Sequence, residues 1–357
     1  GASHIARDII PELHRNGIRV RAVFDEDPGK TGRLCHGIPI CGFHDIGAID
    51  ASIPVVVATQ RIGDVQKKLA TFGFESVLPF PLLSIYRKRG FRAHPFYASI
   101  LQRLLKGREA LVSLAGTLAD DKSRAVLDAI IGFRLTFDAK VYDGLLDDHA
   151  YFARDVLAFH ARETVIDGGA FNGDTVRQFK ELSGNAFKRV IALEPSEQIF
   201  DELAGAFRHD GRIQPLKACL YHRNALLHFD TTGARDSAIA TSGGSDCRAR
   251  TIDSLPHADE ITFIKLNIEG AEGNALRGAR KVIGRQHPKL AVAVYHRPSD
   301  LWEIPKLITA LYSGYRLYLR QHNAGIIESV IYAVPRKPSD GLREIEHTIT
   351  PGKGEPL

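Results

Sequence analysis

At Val165–Thr175 the chain reads V-I-D-G-G-A-F-N-G-D-T, between a short apolar run and a segment with helical spacing. An apolar strand, predicted over 164–166, therefore enters a glycine turn, and a helix follows the turn. Glycine tolerates positive φ and carries no side chain, so the backbone of such a turn can approach a ligand closely. The stretch predicts a cofactor site at the carboxyl end of a central strand.

A second predicted strand, 189–193, ends at Glu194, and a carboxylate at this position can accept hydrogen bonds from both hydroxyls of a ribose. Dehydrogenases that bind NAD show similar geometry, so the glycine turn and this carboxylate alone do not exclude NAD as the cofactor. Asp167 and Asp174 flank the turn, where a pyrophosphate would need neutral or positive surroundings. A cationic sulfonium without phosphates suits such a turn better, which favours S-adenosylmethionine over NAD.

The remaining strands of this region complete an α/β sheet. They are predicted over 213–220, 262–266, 289–295, 315–319 and 326–334. The last two are joined by a connection too short for a helix and can only pair antiparallel. A mostly parallel, seven-stranded, Rossmann-like sheet with a terminal antiparallel hairpin is the class I methyltransferase architecture.

The chain divides into four predicted parts: a small Rossmann-like domain over 1–90, a helical connector over 91–160, the cofactor-binding domain over 161–335, and a tail over 336–357. In the first part an apolar run at 18–24 ends on Asp25, a position that in a nucleotide-binding unit lies near the ribose. The glycine fingerprint is incomplete there. A nucleotide or sugar ligand and an inherited scaffold without ligand therefore both stay open.

Four ordered blocks carry a resemblance to a known family. They are V-I-D-G-G-A-F-N-G-D-T at Val165–Thr175, A-L-E-P at Ala192–Pro195, I-K-L-N-I-E-G-A-E at Ile264–Glu272 and Y-H-R-P-S-D-L-W-E-I-P at Tyr295–Pro305. With these blocks the chain resembles the FkbM family of methyltransferases over 118–335. The resemblance implies binding of S-adenosylmethionine and, usually, O-methylation of a hydroxyl on a saccharide or natural product. It does not cover the first 90 residues.

The loops at the strand ends supply the predicted cofactor contacts. These are Asp167, Gly168, Gly169, Ala170, Phe171, Gly173, Asp174, Thr175, Glu194, Pro195, Ser196, Cys219 and Asn267. Cys219 is placed near the adenine edge, although a buried strand explains it equally well. Asn267 stands where the FkbM pattern more often has Asp, so a role that needs a carboxylate there is not expected.

Three side chains are candidates for the chemistry of methyl transfer. A hydroxyl nucleophile loses its proton during attack, and histidine is well matched to that task near neutral pH. His296 and His322 follow the fifth and sixth strands, where either could face the acceptor. Glu269 and Glu272 open the helix after the fourth strand, and we expect Glu269 to point toward the site and Glu272 to cap the helix.

The bulk composition excludes several other classes. The chain is 44% hydrophobic and 25% charged, and it contains no apolar run long enough to span a bilayer. Its 47 Lys+Arg against 42 Asp+Glu give a net charge of +5, scattered rather than clustered, so nucleic acid is not indicated. Four cysteines without a C-x-x-C pair predict neither a disulfide nor a metal site and favour a cytoplasmic protein.

Two alternatives to a methyltransferase acting on a small-molecule acceptor stay open on the sequence. One is a nucleotide-sugar oxidoreductase that uses NAD and is built on two Rossmann-like units. The other is a protein that senses the cofactor without catalysis.

Overall fold

The computed structural model describes residues 1–86, 90–92, 94–97, 99–229 and 245–336. The predicted tail over 336–357 lies outside them, apart from its first residue. Short 3₁₀ helices in the described residues are Phe43–Ala48, Pro95–Tyr97, Ala139–Tyr142, Ile252–Ser254 and Ala258–Glu260. No helix in these ranges has the length and apolar character needed to cross a membrane.

The N-terminal region contains short helices and short strands. They are α1 His4–Arg15, β1 Val23–Asp25, β2 Leu34–Cys35, β3 Ile38–Gly42, β4 Val55–Val57, α2 Ile62–Thr71, β5 Val77–Pro79 and α3 Pro81–Tyr86. Strand β1 pairs in parallel with β3, which also pairs with β2, whereas β4 and β5 form a separate parallel pair. Of the apolar run at 18–24, only the last two residues join a strand. Asp25 accepts a hydrogen bond from the amide of Ala2 at 2.6 Å and lies 3.3 Å from Lys30.

Three helices fill the segment predicted as a connector: α4 Ile100–Lys106, α5 Arg108–Thr117 and α6 Asp121–Thr136. Helix α6 is capped by Asp120, whose carboxylate accepts from the amide of Ser123 at 2.8 Å. The same carboxylate accepts from the guanidinium of Arg320 at 2.6 Å, and that side chain is 1% exposed. The cap therefore also ties the connector to the large sheet.

The C-terminal region is built on a seven-stranded sheet. Its elements are β6 Thr164–Gly168, α7 Asp174–Leu182, β7 Arg189–Leu193, α8 Glu197–Phe207, β8 Ile213–Leu216, β9 Cys219–Leu220, β10 Ala225–Phe229, β11 Ser245–Arg250, β12 Phe263–Leu266, α9 Glu272–Arg277, α10 Arg280–Gln286, β13 Lys289–Ala293, α11 Asp300–Leu311, β14 Tyr315–Gln321 and β15 Ser329–Pro335. The strand order is β14-β15-β13-β12-β6-β7-β8, with β15 antiparallel to both neighbours and the other pairs parallel. The predicted fold class, including the reversed terminal hairpin, is confirmed.

One predicted strand is divided in the structure. The run 213–220 does not continue as a single strand, because a tight turn in which the amide of Ala218 donates to the carbonyl of Leu216 ends β8. The chain then enters β9, which belongs to a separate small sheet with the order β10-β11-β9. This turn brings residues 218–220 over the end of the large sheet.

The centre of the sheet is buried on both faces, which explains its near-continuous apolar runs. Every residue of β6 and β12 is buried, and Ile264, Leu266 and Val292 have no exposed surface. Parallel strands covered by helices on both sides have this pattern. The polar residues at the ends of these strands therefore stand out as candidates for function.

The contact between α6 and β14 predicts a pH-dependent contribution to stability. Burial raises the pKa of Asp120, but hydrogen bonds from Arg320 and Ser123 outweigh it and lower the pKa to about 2. Because the folded pKa is below the unfolded value, the stabilisation is present near neutrality and is lost as the pH falls from about 4 towards 2. Asp120→Asn, which keeps a capping side chain, should cost about 1 kcal/mol near pH 7 after allowance for partial exposure.

Urea unfolding of the unaltered protein and of Asp120→Asn over this pH range measures the difference between their free energies of unfolding. That difference should shrink on acidification. The control is Asp121→Asn, which changes a fully exposed side chain next to the cap. An unchanged difference across the range would contradict the assignment.

Candidate active site

An ion pair fixes the turn after β6. Asp167 and Lys265 are register partners on β6 and β12, and their charged atoms lie 2.8 Å apart with each side chain at most 4% exposed. The Lys265 ammonium also donates to the carbonyl of Gly169 at 2.8 Å, and the Thr175 hydroxyl donates to Asp167. The carboxylate of Asp167 is thus engaged inside the protein, and the residue orients the turn from below.

The turn requires glycine at its tightest point. Gly169 has φ = +76°, and a Cβ there would lie 1.9 Å from the carbonyl oxygen of Asn267. The amides of Gly169 and Ala170 both donate to the carbonyl of Leu193, which joins the turn to the end of β7. Gly173 has φ = +85°, and a Cβ there would lie 2.3 Å from Phe207. Gly169 therefore packs against the backbone after β12, and the predicted close approach to a ligand stays a prediction.

Glu194 stands at the end of β7 with 7% of its surface exposed. One carboxylate oxygen accepts from the amide of Phe171 at 3.1 Å, and the other accepts from the amide of Ser196 at 2.9 Å. Burial raises the pKa of Glu194 despite these bonds. A carboxylate oxygen has lone pairs for more than one donor, so this fixed group can accept further hydrogen bonds from a ligand.

A cavity of about 340 Å³ opens at the carboxyl edge of the sheet. It brings together nine of the predicted site residues: Gly169, Phe171, Asp174, Thr175, Glu194, Pro195, Cys219, Asn267 and Glu269. The others do not line it: Asp167, Gly168, Ala170, Gly173, Ser196, His296 and His322. Asp167 and Gly168 are the last residues of β6, and Ala170, Gly173 and Ser196 lie in the loops after β6 and β7. The two histidines lie elsewhere and are described below.

His296 is buried and faces carboxylates on both sides of its ring. Nδ1 lies 2.9 Å from Glu272 and Nε2 lies 3.4 Å from Glu269, as ion-pair contacts rather than aligned hydrogen bonds. Burial lowers the pKa of His296, but the charge of Glu272, supported by Glu269, outweighs burial and raises it to about 10. A histidine that is already protonated cannot accept a proton at neutral pH, so this geometry opposes the expected role as general base.

Glu272 differs from its expected role as a helix cap. It is the first residue of α9, but its carboxylate accepts from the amide of Ile268 at 2.8 Å and so holds the preceding loop. The pKa of the Glu272 carboxyl lies below its usual value. Burial alone would raise this pKa, but the positive charge of His296 outweighs burial. The buried pair of Glu272 and His296 is part of the wall behind the cavity.

Both ring nitrogens of His322 also contact groups of the protein itself. Its Nδ1 lies 2.8 Å from the carbonyl of Asp147, and its Nε2 lies 2.9 Å from the hydroxyl of Tyr332. Its side chain is 1% exposed, and burial lowers its pKa. This places His322 in a packing role away from the cavity and opposes the alternative of a catalytic base.

Glu269 is the one proposed catalytic residue that lines the cavity. It adopts φ = +53°, an unusual conformation for a residue with a side chain, and 24% of its side chain is exposed. Asn267, two residues earlier, accepts from the Tyr295 hydroxyl at 3.2 Å through its side-chain oxygen. A neutral amide makes this contact, so a carboxylate at 267 is not needed for it.

Several lining residues were not predicted from the sequence. They include Gln60, Phe96, Tyr151, Lys265, Tyr295 and Glu328. Lys265 is visible in the sequence as a charged residue inside an apolar strand, which is a signal for a paired or functional group. Gln60 and Phe96 carry no such signal, because their position depends on how the N-terminal region packs against the sheet.

Comparisons with known proteins agree with this architecture. Residues 167–324 match the family model of the methyltransferase FkbM domain. A crystal structure of methyltransferase FkbM from Methylobacillus flagellatus KT superposes with a TM-score of 0.70 at 24% identity, covering 89% of this chain and 84% of that chain. A search of curated proteins found no match. The sequence prediction of an FkbM methyltransferase domain is confirmed.

Two further solved structures share only part of the fold. Aeropyrum pernix fibrillarin, solved with natively bound S-adenosyl-L-methionine, has a TM-score of 0.32 at 12% identity, covering 52% of this chain and 73% of that chain. An rRNA methylase from Streptococcus thermophilus has a TM-score of 0.32 at 16% identity, covering 50% and 88%. Neither likeness is close enough to argue for a substrate.

Replacing Gly169 should weaken ligand binding at the turn. In Gly169→Ala the new methyl group meets a backbone carbonyl and the residue must keep positive φ, so the turn has to open. We expect loss of S-adenosylhomocysteine binding by at least about tenfold in calorimetry, equivalent to about 1.4 kcal/mol.

The matched control is Gly205→Ala in α8, where a Cβ meets nothing within 4 Å. Gly205→Ala should bind like the unaltered protein. Equal binding by Gly169→Ala would show that the ligand does not use this turn.

Proposed function

We propose that the FkbM methyltransferase domain at 167–324 transfers the methyl group of S-adenosylmethionine to a hydroxyl oxygen of a small molecule. The observation that carries this proposal is the cavity at the carboxyl edge of the sheet, which joins the glycine turn, Glu194 and Glu269 in one space. In sheets of this class ligands bind at that edge, where the strand order reverses between β6 and β12.

The charge of the cavity supports a cationic cofactor. Among the residues that the structure describes, the carboxylates of Asp174, Glu194, Glu269 and Glu328 line it, together with the ammonium of Lys265, which is paired with Asp167. A negative wall attracts a ligand carrying a sulfonium and an ammonium and repels the pyrophosphate of NAD. Loss of the sulfonium charge on methyl transfer weakens that attraction, which favours release of the product.

In this proposal each part of the cofactor has its own place in the cavity. The carboxylate of Glu194 is fixed by two backbone amides and suits a ribose diol. The apolar segment 218–220 lines the same end and suits an adenine face. The turn at Gly169 and the polar residues Asp174 and Thr175 then lie toward the amino-acid portion.

The reaction needs alignment and a destination for one proton. S-adenosylmethionine supplies an electrophilic methyl group, and the acceptor oxygen forms a bond to it as the carbon–sulfur bond breaks and its electron pair stays on sulfur. Holding the two reactants in line supplies most of the acceleration. In this proposal Glu269 takes the hydroxyl proton, and His296 is a positioning residue whose charge holds Glu269 and Glu272.

The ribose role of Glu194 is tested by Glu194→Gln. The amide retains the shape of the side chain but loses the charge and one acceptor, so we expect S-adenosylhomocysteine affinity to fall about 10- to 100-fold in calorimetry. Glu197→Gln, on the exposed start of α8, is the control and should bind normally. Unchanged affinity in Glu194→Gln would remove this residue from the cofactor site.

The proton role is tested by Glu269→Gln in an assay for S-adenosylhomocysteine release over a panel of hydroxylated acceptors. General-base catalysis contributes about 10²- to 10⁴-fold, so kcat should fall within that range while cofactor affinity is kept. His296→Gln should lower kcat less, and Glu303→Gln, on exposed helix surface, should leave it unchanged. Full activity in Glu269→Gln would exclude the carboxylate as proton acceptor.

A further inference from the structure

We propose that Cys219 and Cys247 are a redox-sensitive thiol pair, that a hydroperoxide oxidises them to a disulfide, and that this disulfide weakens ligand binding in the cavity at the carboxyl edge of the sheet. Both are free cysteines in the structure. The formation of the disulfide is independent of the proposed function. Its effect on the cofactor rests on the proposed function, because it needs S-adenosylmethionine to occupy the end of the cavity lined by 218–220.

The small sheet brings the two cysteines together. Strands β9 and β11 pair in parallel, with Cys219 opposite Ala249. Cys247 lies two residues before Ala249 on β11, and side chains two residues apart on a strand point to the same face. Cys219, Cys247 and Ala249 form a small buried cluster apart from the main core, and the two thiols share a hydrogen bond. The two sulfurs are therefore neighbours within this cluster.

The other two cysteines of the chain are arranged differently. Cys35 on β2 lies opposite Ile38 on β3, and Cys41 follows Ile38 by three residues on the same strand. Residues an odd number apart on a strand point to opposite faces, so Cys35 and Cys41 lie on opposite faces of their sheet. They provide an internal control for a reaction that needs two thiols side by side.

Cys247 is the thiol of the pair that ionises more readily. The hydrogen bond from the Cys219 thiol lowers the pKa of Cys247, and this effect outweighs burial, which raises the pKa. The thiolate is the reactive form of cysteine. The same hydrogen bond raises the pKa of Cys219, so the Cys219 thiol keeps its proton until the second step.

The oxidation proceeds in two steps with hydrogen peroxide as the hydroperoxide. The Cys247 thiolate attacks one peroxide oxygen, the O–O bond breaks, and the hydroxide that leaves takes up the proton lost by Cys247. The product is a sulfenic acid on Cys247. Cys219 then attacks that sulfur, the S–O bond breaks, and the hydroxide that leaves takes the proton of Cys219. The two sulfurs lose two electrons in all, and the peroxide gains them and becomes two waters.

Closing the disulfide has to move the strands. Cys219 and Cys247 are diagonal neighbours rather than directly opposite, and diagonal neighbours are farther apart than a disulfide favours. Oxidation therefore draws β9 and β11 toward each other. A disulfide formed under such strain is readily reduced, which makes the step reversible.

Strand β9 is a wall of the cavity and has little room to move. Ala218, Cys219 and Leu220 all line the cavity. A Cβ at Gly168, the last residue of β6, would lie 2.8 Å from the Leu220 side chain, so β9 packs closely on the end of the central strand. A shift of β9 therefore changes the shape of the end of the cavity assigned to the adenine. By reciprocity, a nucleoside bound at that end opposes the disulfide.

The test treats the reduced full chain with hydrogen peroxide, alkylates the remaining thiols and maps the products by mass spectrometry. We expect a peptide pair joined through Cys219 and Cys247 that dithiothreitol separates, with Cys35 and Cys41 recovered as alkylated thiols. Calorimetry should show S-adenosylhomocysteine affinity about tenfold lower in the oxidised protein and restored by dithiothreitol. S-adenosylhomocysteine present during oxidation should lower the yield of the joined peptides.

Two serine variants separate the disulfide from other effects of peroxide. Cys247→Ser cannot form the bond, so its S-adenosylhomocysteine affinity should be the same before and after peroxide. The matched control is Cys41→Ser, in the N-terminal region, which should lose affinity on oxidation like the unaltered protein. An equal loss of affinity in Cys247→Ser would overturn the role of the disulfide.

The outcomes separate this inference from the proposed function. If the reduced chain binds S-adenosylhomocysteine but peroxide gives no peptide joined through the two cysteines, the thiol pair is overturned and the proposed function stands. If the disulfide forms and the affinity does not change, its coupling to the cavity is overturned. If the reduced chain does not bind S-adenosylhomocysteine, the proposed function and the coupling both fail, whereas the peptide map still decides whether the disulfide forms.

Discussion

The buried pair of Asp167 and Lys265 is the contact on which the candidate site depends. Burying two charges costs several kcal/mol for each, and the cost is offset only when geometry and additional hydrogen bonds are good. Here the lysine also donates to the carbonyl of Gly169, and the aspartate also accepts from Thr175. Strands β6 and β12, the glycine turn and the start of α7 are thereby fixed to one another.

This arrangement explains how the site can be both rigid and negatively charged. The pair neutralises its own charges below the turn, and the carboxylates of Asp174 and Glu194 line the cavity above it. Behind the wall, His296 carries a positive charge that keeps Glu269 and Glu272 close together. Without that imidazolium the two carboxylates would repel each other and the loop between β12 and α9 would lose its shape.

Local patterns predicted what depends on local chemistry. The bounds of β7, the glycine turn, Glu194 and the reversed last hairpin could all be read from strand periodicity, turn residues and connection length. The strand at 213–220 was overextended because an apolar run does not show where a tight turn interrupts it. The cysteine in that run, Cys219, nevertheless lines the cavity, and its place at the adenine end stays a prediction.

Properties set by tertiary packing could not be predicted. The sequence places His296 and His322 at strand ends, but burial and their partners Glu272 and Asp147 decide that neither faces the cavity. The contribution of Gln60 and Phe96 likewise depends on the docking of two regions far apart in the chain. The paired Lys265 shows that a charge within an apolar strand is a signal worth weighing.

The most direct test is a crystal structure of the chain with S-adenosylhomocysteine. The account predicts the nucleoside across the carboxyl edge of the sheet, with its ribose hydroxyls on Glu194, its adenine against 218–220 and its sulfur directed toward Glu269. A nucleoside bound elsewhere, or a ribose that makes no contact with Glu194, would contradict the account.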